Sequence, residues 1–340
     1  MPEESLIMKE TELLNKLFSI SDARSFEPLA LEVFRFQALH SPVYKEYLTL
    51  LKINPDSVRE TIQIPFLPVS FFKSRKIICE NRTEETVFLS SGTTETGQSR
   101  HYVSSLELYE KSFLHSFELF YGPPEKYVIL ALLPSYLQQG ASSLVYMADK
   151  LIKKGKHRES GFFLDNTGEL IQCIIDLEKQ SRPYILLGVS YALLDLAEQF
   201  DALKGPPLQS GIIMETGGMK GRRKELVKEE IHAVLKKSFG LDSVHSEYGM
   251  TELLSQAYSK GNGIFACPPW MSITIRDRND PFALAPKGKT GGVNITDLAN
   301  LYSCSFIATQ DLGKLNEDNT FEILGRFDNS DLRGCNLLVN

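Results

Sequence analysis

Paired cysteines are missing from this sequence. Cys79, Cys173, Cys267, Cys304 and Cys335 are scattered, and no two form a C-x-x-C couple, so a zinc ribbon and a thioredoxin-type redox pair are unsupported. Each is by default a small buried hydrophobe. The six histidines are equally dispersed and none belongs to an H-E-x-x-H run, which leaves a structural metal site without ligands. Long apolar runs are lacking too. The stretch from Tyr127 to Leu133 is among the longest. It is far short of the ~20 residues that a membrane helix needs, so no membrane span is expected. Basic charge is not in excess: 37 Lys and Arg against 43 Asp and Glu leave a net charge of −6. That balance argues against a general polyanion binder and so against a nucleic-acid partner. The opening Met1-Pro2-Glu3-Glu4 is acidic, with no basic segment leading into an apolar one. No secretion signal is visible there, and the sequence reads as cytoplasmic. Internal repeats and low-complexity segments are absent as well.

What is present is an ordinary globular composition, 42% hydrophobic and 24% charged over 340 residues, enough for one large domain or two modest ones. Residues 1–85 read as a helical and irregular segment packed on a core. Leu13, Leu14, Leu17 and Phe18 recur at helical spacing, as do Leu29, Val33, Phe34 and Phe36. Pro65 and Pro68 then force an extended connection. Residues 86–325 read as an α/β core. Predicted strands at Tyr127–Leu133, Gly161–Leu164, Pro183–Gly188 and Gly211–Glu215 alternate with predicted helices at Ala141–Lys153, Leu170–Lys179 and Ala192–Phe200. This alternation predicts a mostly parallel sheet flanked by helices. Gly221–Phe239 reads as the clearest helix, with Val227, Ile231, Val234 and Leu235 as its apolar stripe and Gly240 as its C-terminal cap. From about residue 271 short strands follow without helices, at Ser272–Ile275, Gly292–Ile295, Phe306–Ala308 and Phe321–Leu324, which predicts a small β-rich lobe. Residues 326–340 read as a hinge remnant and tail.

Six local patterns carry chemistry. In Ser90-Ser91-Gly92-Thr93-Thr94-Glu95-Thr96-Gly97-Gln98-Ser99-Arg100, glycines free backbone N–H groups to turn towards an anion, while hydroxyls and Arg100 add donors. That is the composition of a phosphate cradle, and equally of a hydroxyl-rich surface loop. Gln98 stands where a P-loop needs lysine, so a P-loop NTPase is unsupported. Gly188-Val189-Ser190-Tyr191-Ala192 approaches the nucleophile elbow G-x-S-x-G but lacks its second glycine; a turn with Ser190 as helix cap is preferred. Gly217-Gly218 lies between a predicted strand and helix, and fits either a flat ligand or a tight turn. Glu247-Tyr248-Gly249-Met250-Thr251-Glu252 places an aromatic, a hydroxyl and a carboxylate at a predicted strand end, where α/β sheets gather ligands. Glu252 there would suit Mg²⁺, though alone it reads as a solvated charge. Thr309-Gln310-Asp311 and Gly325-Arg326-Phe327-Asp328 read singly as turns.

The order of these elements resembles the adenylate-forming superfamily of acyl-CoA synthetases, luciferases and peptide-synthetase adenylation domains, over about residues 40–334. His40-Ser41-Pro42-Val43-Tyr44 and Leu67-Pro68-Val69-Ser70-Phe71-Phe72-Lys73 resemble the opening segments of the LuxE-type acyl-protein synthetases and the neighbouring phenylacetate–CoA ligase group. The resemblance implies the large N-terminal domain of such an enzyme, with ATP and Mg²⁺ as cofactors. Ser90, Ser91, Gly92, Thr93, Thr94 and Gly97 match the phosphate loop, and Arg100 its cation. Gly217 and Gly218 match the turn beside adenine, and Tyr248 the ring that stacks on it. Thr251 and Glu252 match the residues that contact phosphate and hold Mg²⁺. Asp311 matches the carboxylate that accepts the ribose hydroxyls, Arg326 a ribose-side arginine and Asp328 the hinge.

The implied reaction is activation of a carboxylic acid, a fatty acid in the LuxE-type proteins, as an acyl-adenylate, and its transfer to a thiol. The implied partners are a small-molecule acid and an acyl carrier, acyltransferase or reductase. Only twelve positions follow Asp328, so the C-terminal small domain and its lysine are expected to be absent. LuxE-type proteins carry the acyl group on a cysteine near the C-terminal end, and Cys335 matches that position. Three alternatives stay open: an aryl- or acyl-CoA ligase, a non-catalytic nucleotide- or acyl-binding member of an assembly, and a serine hydrolase acting through Ser190.

Overall fold

Helix α1 (Pro2–Leu17) opens the computed structural model, which describes residues 2–91, 97–134, 141–217 and 226–327. Asp22 starts α2 (Ala23–His40): its carboxylate accepts the Ser25 N–H at 2.9 Å, satisfying a donor the first turn leaves free. Pro42 occupies the first turn of α3 (Pro42–Leu50), where a missing N–H costs nothing. Pro65 and Pro68 keep the chain extended into β1 (Leu67–Pro68), and α4 (Phe71–Ser74) follows.

Residues up to Thr83 form one compact unit with those from Pro269 onward, and Glu84–Pro268 forms another. The Glu84–Pro268 unit begins with an antiparallel hairpin, β2 (Thr86–Leu89) and β3 (Arg100–Val103), then α5 (Leu106–Tyr121). Strand–helix alternation follows through β4 (Val128–Leu132), α6 (Ser143–Gly155), β5 (Gly161–Phe162), α7 (Thr167–Lys179) and β6 (Tyr184–Val189). It continues through α8 (Ser190–Ala202), β7 (Gly211–Thr216), α9 (Lys228–Phe239) and β8 (His245–Tyr248), and ends in β9 (Ala257–Ser259) and β10 (Ile264–Ala266). The strands order as β5-β4-β6-β7-β8, all parallel, with β9 and β10 antiparallel beyond β8. Every residue of β4 and β6 is buried, as expected of parallel strands covered on both faces. Each fully buried Leu or Ile there contributes ~1.5–3 kcal/mol.

Helix α9 starts later than its sequence suggests. Residues 221–225 lie outside the described residues, and Val227 is extended (φ −71°, ψ 158°) with its N–H donated to the Glu230 carboxylate at 3.1 Å. Glu229 and Glu230 then occupy the positive first turn; an earlier start would put the basic Lys220–Lys224 stretch there, against the helix dipole. The predicted stripe is corrected with it. Val227 and Val234 are exposed, and Ile231, His232, Leu235 and Phe239 are the buried face. Gly240 caps the helix in the left-handed region (φ +66°).

In the other unit, β11 (Met271–Arg276), β12 (Thr290–Asp297), β13 (Phe306–Leu315) and β14 (Phe321–Arg326) form an antiparallel meander, with β1 parallel to β13. The rings of Phe34 and Tyr44 pack against Phe306 at 6.0 and 6.1 Å. Gln37, fully buried on α2, donates to the Asn300 and Leu301 carbonyls at 3.0 and 2.8 Å and accepts the Ser305 N–H at 2.9 Å. A buried amide so completely used fixes the N-terminal helices against the loop between β12 and β13. Among the described residues no helix is long and apolar enough to cross a membrane.

Candidate active site

Strands β6, β7 and β8 run side by side and end together, at Val189, Thr216 and Tyr248. The three segments beyond those ends begin with Ser190, Gly217 and Gly249. A parallel sheet leaves its ligand crevice at this edge.

The hydroxyl-rich loop is carried by the β2–β3 hairpin. Its base is closed twice: the Ser90 N–H donates to the Ser99 carbonyl at 3.1 Å, and the Ser99 N–H donates to Ser90 Oγ at 2.8 Å. Ser91 is exposed and Gly97 lies in a turn. Gly92, Thr93 and Thr94 lie outside the described residues. Arg100 is exposed at the start of β3, with no ion-pair partner among the described residues. Its neighbour His101 is fully buried, and its Nδ1 lies 2.8 Å from the Thr251 carbonyl oxygen. A carbonyl can only accept, so Nδ1 carries the proton. That bond fastens the hairpin to the Tyr248–Glu252 turn.

In the turn, Tyr248 is half-buried and its ring meets Phe265 edge-on at 5.9 Å. The Leu253 N–H donates to the Met250 carbonyl at 3.1 Å. Glu252 is 5% exposed, so it is not a solvated surface charge. A Cβ at position 249 would run into Glu247 Oε1, which is why glycine follows the tyrosine. Gly217 has φ +71°, a conformation costly for other residues, and Gly218 lies outside the described residues.

Two buried carboxylates that sequence reasoning did not single out lie beneath these turns. Glu215 on β7 accepts from Ser190 Oγ at 2.6 Å and Ser246 Oγ at 3.2 Å, and Lys228 Nζ stands 3.3 Å away. Burial works to raise its pKa, but the His232 ring, the Lys228 charge and the Ser190 hydroxyl outweigh it and hold the carboxyl below its ordinary value. Glu247 on β8 accepts the Thr216 hydroxyl, and burial pushes its carboxyl up to about 7. A charged residue in an otherwise apolar strand, as in Gly211–Thr216, is the one signal that could have found Glu215. His101 offers none, since its role depends on a contact 150 positions away.

Ser190 is the first residue of α8 and not its cap, a position Val189 takes. Its hydroxyl turns inward because Glu215 is the stronger acceptor. The group beside it is a carboxylate and not an imidazole, so the serine–histidine pairing of a hydrolase is not made.

Asp311 and Arg326 belong to the other unit. The sequence reads them as turn residues; they lie instead on paired strands. They are Cα partners in the β13–β14 ladder, with Arg326 Nε 3.3 Å from Asp311 Oδ1. Asp311 is 7% exposed, and its N–H donates to Thr309 Oγ1 at 3.0 Å. The Thr309 hydroxyl donates on to the Val293 carbonyl, which fixes the carboxylate's backbone through β12. Asp328 and Cys335 lie outside the described residues.

Neither a family model nor a curated protein sequence matches the chain. Solved structures do. A 2-hydroxyisobutyryl-CoA ligase in the postadenylation state, in complex with 2-HIB-AMP, aligns with a TM-score of 0.69 over 91% of this chain and 69% of that one, at 12% identity. An open conformation of that ligase with 2-HIB-AMP and CoA gives 0.68 over 91% and 72%, also at 12% identity. The fold is that of adenylate-forming enzymes. ATP-bound MatB from Rhodopseudomonas palustris aligns with a TM-score of 0.51 at 19% identity, over 71% of this chain and 47% of MatB. The chain therefore spans about half the length of MatB.

Among the described residues no cluster of three or more His, Cys, Asp or Glu could hold a metal ion by itself. Mg²⁺ does not need one, because it takes one or two carboxylates and completes its shell with phosphate oxygens and water. Buried Glu252 would supply one such carboxylate.

Proposed function

We propose that the protein activates a carboxylic acid with ATP and transfers the acyl group to a thiol, as an acyl-protein synthetase does, with a fatty acid as substrate. The observation that carries this reading is the His101–Thr251 bond, which holds the hydroxyl-rich hairpin against the turn bearing Glu252 at the ends of the parallel strands. A carboxylate oxygen of the acid attacks the α-phosphorus of ATP. The bond from that phosphorus to the bridging oxygen breaks, and its electron pair leaves with pyrophosphate. A thiolate then attacks the acyl carbon and AMP departs with the electrons of the carbon–oxygen bond.

Ser90, Ser91, Gly92, Thr93, Thr94 and Gly97 would bind the phosphates, and Arg100 would neutralise charge developing on them. Fixed charge of this kind is commonly the largest catalytic contribution. Tyr248 would stack on adenine beside Gly217 and Gly218, and Glu252 with Thr251 would hold Mg²⁺. When bound, the metal would supply further neutralisation of the phosphate oxygens. Asp311 and Arg326 keep, as separate proposals, the ribose-side roles that the family resemblance implies.

Cys335 would receive the acyl group. Cys79 and Cys304 are poor competitors, because both are buried and burial pushes each thiol up to about 12, leaving little thiolate at neutral pH. The open ligase with CoA favours a second reading, in which coenzyme A is the acceptor. Incubation with ATP, Mg²⁺ and labelled fatty acids should give acid-dependent ATP–pyrophosphate exchange and a hydroxylamine-sensitive label on the protein. A label that survives Cys335→Ser, or exchange without any label, would move the transfer to another thiol. Absence of exchange across short, long and aromatic acids would reject adenylation itself.

A further inference from the structure

The unit that joins residues up to Thr83 with those from Pro269 onward carries a cavity of about 360 Å³ that reaches Asn294 on β12. Its apolar lining comes from Ile62, Ile64 and Phe66 ahead of β1, and from Phe282 and Leu284 between β11 and β12. Among the described residues no charged side chain lines it, and Gln63 and Asn294 are its polar members. Gln63 is committed to its own loop, its Oε1 accepting the Arg59 N–H at 2.8 Å.

Asn294 is placed differently. It is 2% exposed, and its Oδ1 accepts from Arg276 Nη1 at 2.9 Å. A guanidinium only donates, so this contact decides which end of the amide is oxygen. The Nδ2 group is left over, with no hydrogen-bond partner among the described residues. Directly across the ladder on β11, the buried Thr274 hydroxyl has none either. Such cross-strand partners share a face of the sheet, so two unanswered polar groups stand on the same face. Buried groups of this kind cost free energy until something bonds to them. Arg276 lies flat across Gly292, where a Cβ would come 2.4 Å from its Cζ. Its other bonds go to the Val293 carbonyl at 2.8 Å and to the Thr309 carbonyl. All three of its acceptors are neutral, so the cation polarises the Asn294 amide and strengthens Nδ2 as a donor.

We propose that this cavity binds a small neutral carbonyl compound, whose oxygen accepts from Asn294 Nδ2 while its apolar body lies on Ile62, Ile64 and Phe282. Small-molecule sites run from roughly 300 Å³ upward, so the volume suits a short chain or a single ring. A cationic head would meet a donor. An ionised carboxylate would give up its water with no charged side chain on the lining to replace it. The inference does not rest on the ATP reading.

The test is titration of the full chain with methyl pentyl ketone, followed by the side-chain NMR signals of Asn294, Ile62 and Ile64. Saturable shifts should appear with a Kd of about 1 mM or tighter, within reach of a ligand this size. Hexanoate and hexylammonium, of similar length, should bind about tenfold more weakly or worse. Asn294→Asp keeps an acceptor for Arg276 and exchanges the free donor for a second acceptor. It should weaken the ketone by about tenfold or more. Phe282→Ala, at an exposed position, should weaken it by about threefold or more. Absence of saturable shifts would overturn the proposal. So would equal binding of hexanoate or hexylammonium, or a ketone affinity that Asn294→Asp leaves unchanged. A dimer in sedimentation that Phe282→Ala dissolves would give the cavity to a second copy of the chain and end the proposal as well.

Discussion

Glu252 and the Thr251 carbonyl that His101 holds are neighbours in one turn. Glu252→Gln keeps shape and removes charge. It should lower ATP–pyrophosphate exchange by ~100-fold or more, the usual cost of losing one preorganised electrostatic contact, with unfolding by urea little changed. His101→Phe should do the reverse in kind. It leaves the Thr251 carbonyl without its buried donor, costing about 1–3 kcal/mol of stability in urea titrations. Exchange should fall with it because the hairpin is released from the turn. An unaltered unfolding midpoint in His101→Phe would mean that the contact carries no weight.

At the scale of single elements, left-handed glycines make a sharp comparison. Gly240 and Gly288 both lie in the left-handed region, at φ +66° and +78°. A Cβ at 240 would come 2.7 Å from Pro207 Cβ, whereas at 288 it would meet nothing within 4 Å among the described residues. Alanine at 288 should therefore cost only the backbone penalty, about 1 kcal/mol, and alanine at 240 that plus an overpacking cost of roughly 1–3 kcal/mol. Equal melting shifts for the two would contradict this. Element by element, the parallel strands were plain in the sequence, because β4 and β6 are apolar at nearly every position. Helix α5 was not: Ser112 and Ser116 sit on its buried face, alongside Phe113 and Phe117, and break the apolar stripe that periodicity looks for. The start of α9 was hidden because the deciding contact is a side chain returning to its own backbone, which spacing does not reveal. Asp311 reads as a turn residue in sequence because nothing local marks Thr309–Asp311 as the continuation of a strand; its partner lies on β14.

For the molecule as a whole, the buried carboxylates set opposite pH slopes. Glu247 keeps its proton up to about 7 when folded, against an ordinary 4.5. Between those values the folded state binds more protons, so this group's contribution is fully present below 4.5 and fades as pH rises through 7. Glu247→Gln should remove that loss, gaining on the order of 3 kcal/mol over wild type at pH 8 relative to pH 4. A variant whose pH–stability curve parallels wild type would refute the assignment. Glu215, depressed, works the other way: its contribution is lost as pH falls through its folded value. His245, lowered to about 4 mainly by burial, also weakens the fold as pH drops from 6.5. None of this was legible in the sequence. The motif residues were, because glycine, hydroxyl and carboxylate stand in a recognisable order along the chain, whereas their supports are defined only by the neighbours that folding brings.

Gln37 also fixes a timetable. Its partners at Asn300 and Leu301 lie 263 and 264 positions further along the chain. Glu84–Pro268, continuous in sequence, can fold as it leaves the ribosome. The N-terminal helices cannot complete their unit until β12 and β13 have been made. At about 5–20 residues per second, Phe34 and Tyr44 stay without their final cover on Phe306 for roughly 13–50 s of each synthesis. A nascent chain stalled near residue 268 should therefore show a protease-resistant middle and a digestible beginning, and the N-terminal helices should be where a chaperone binds first.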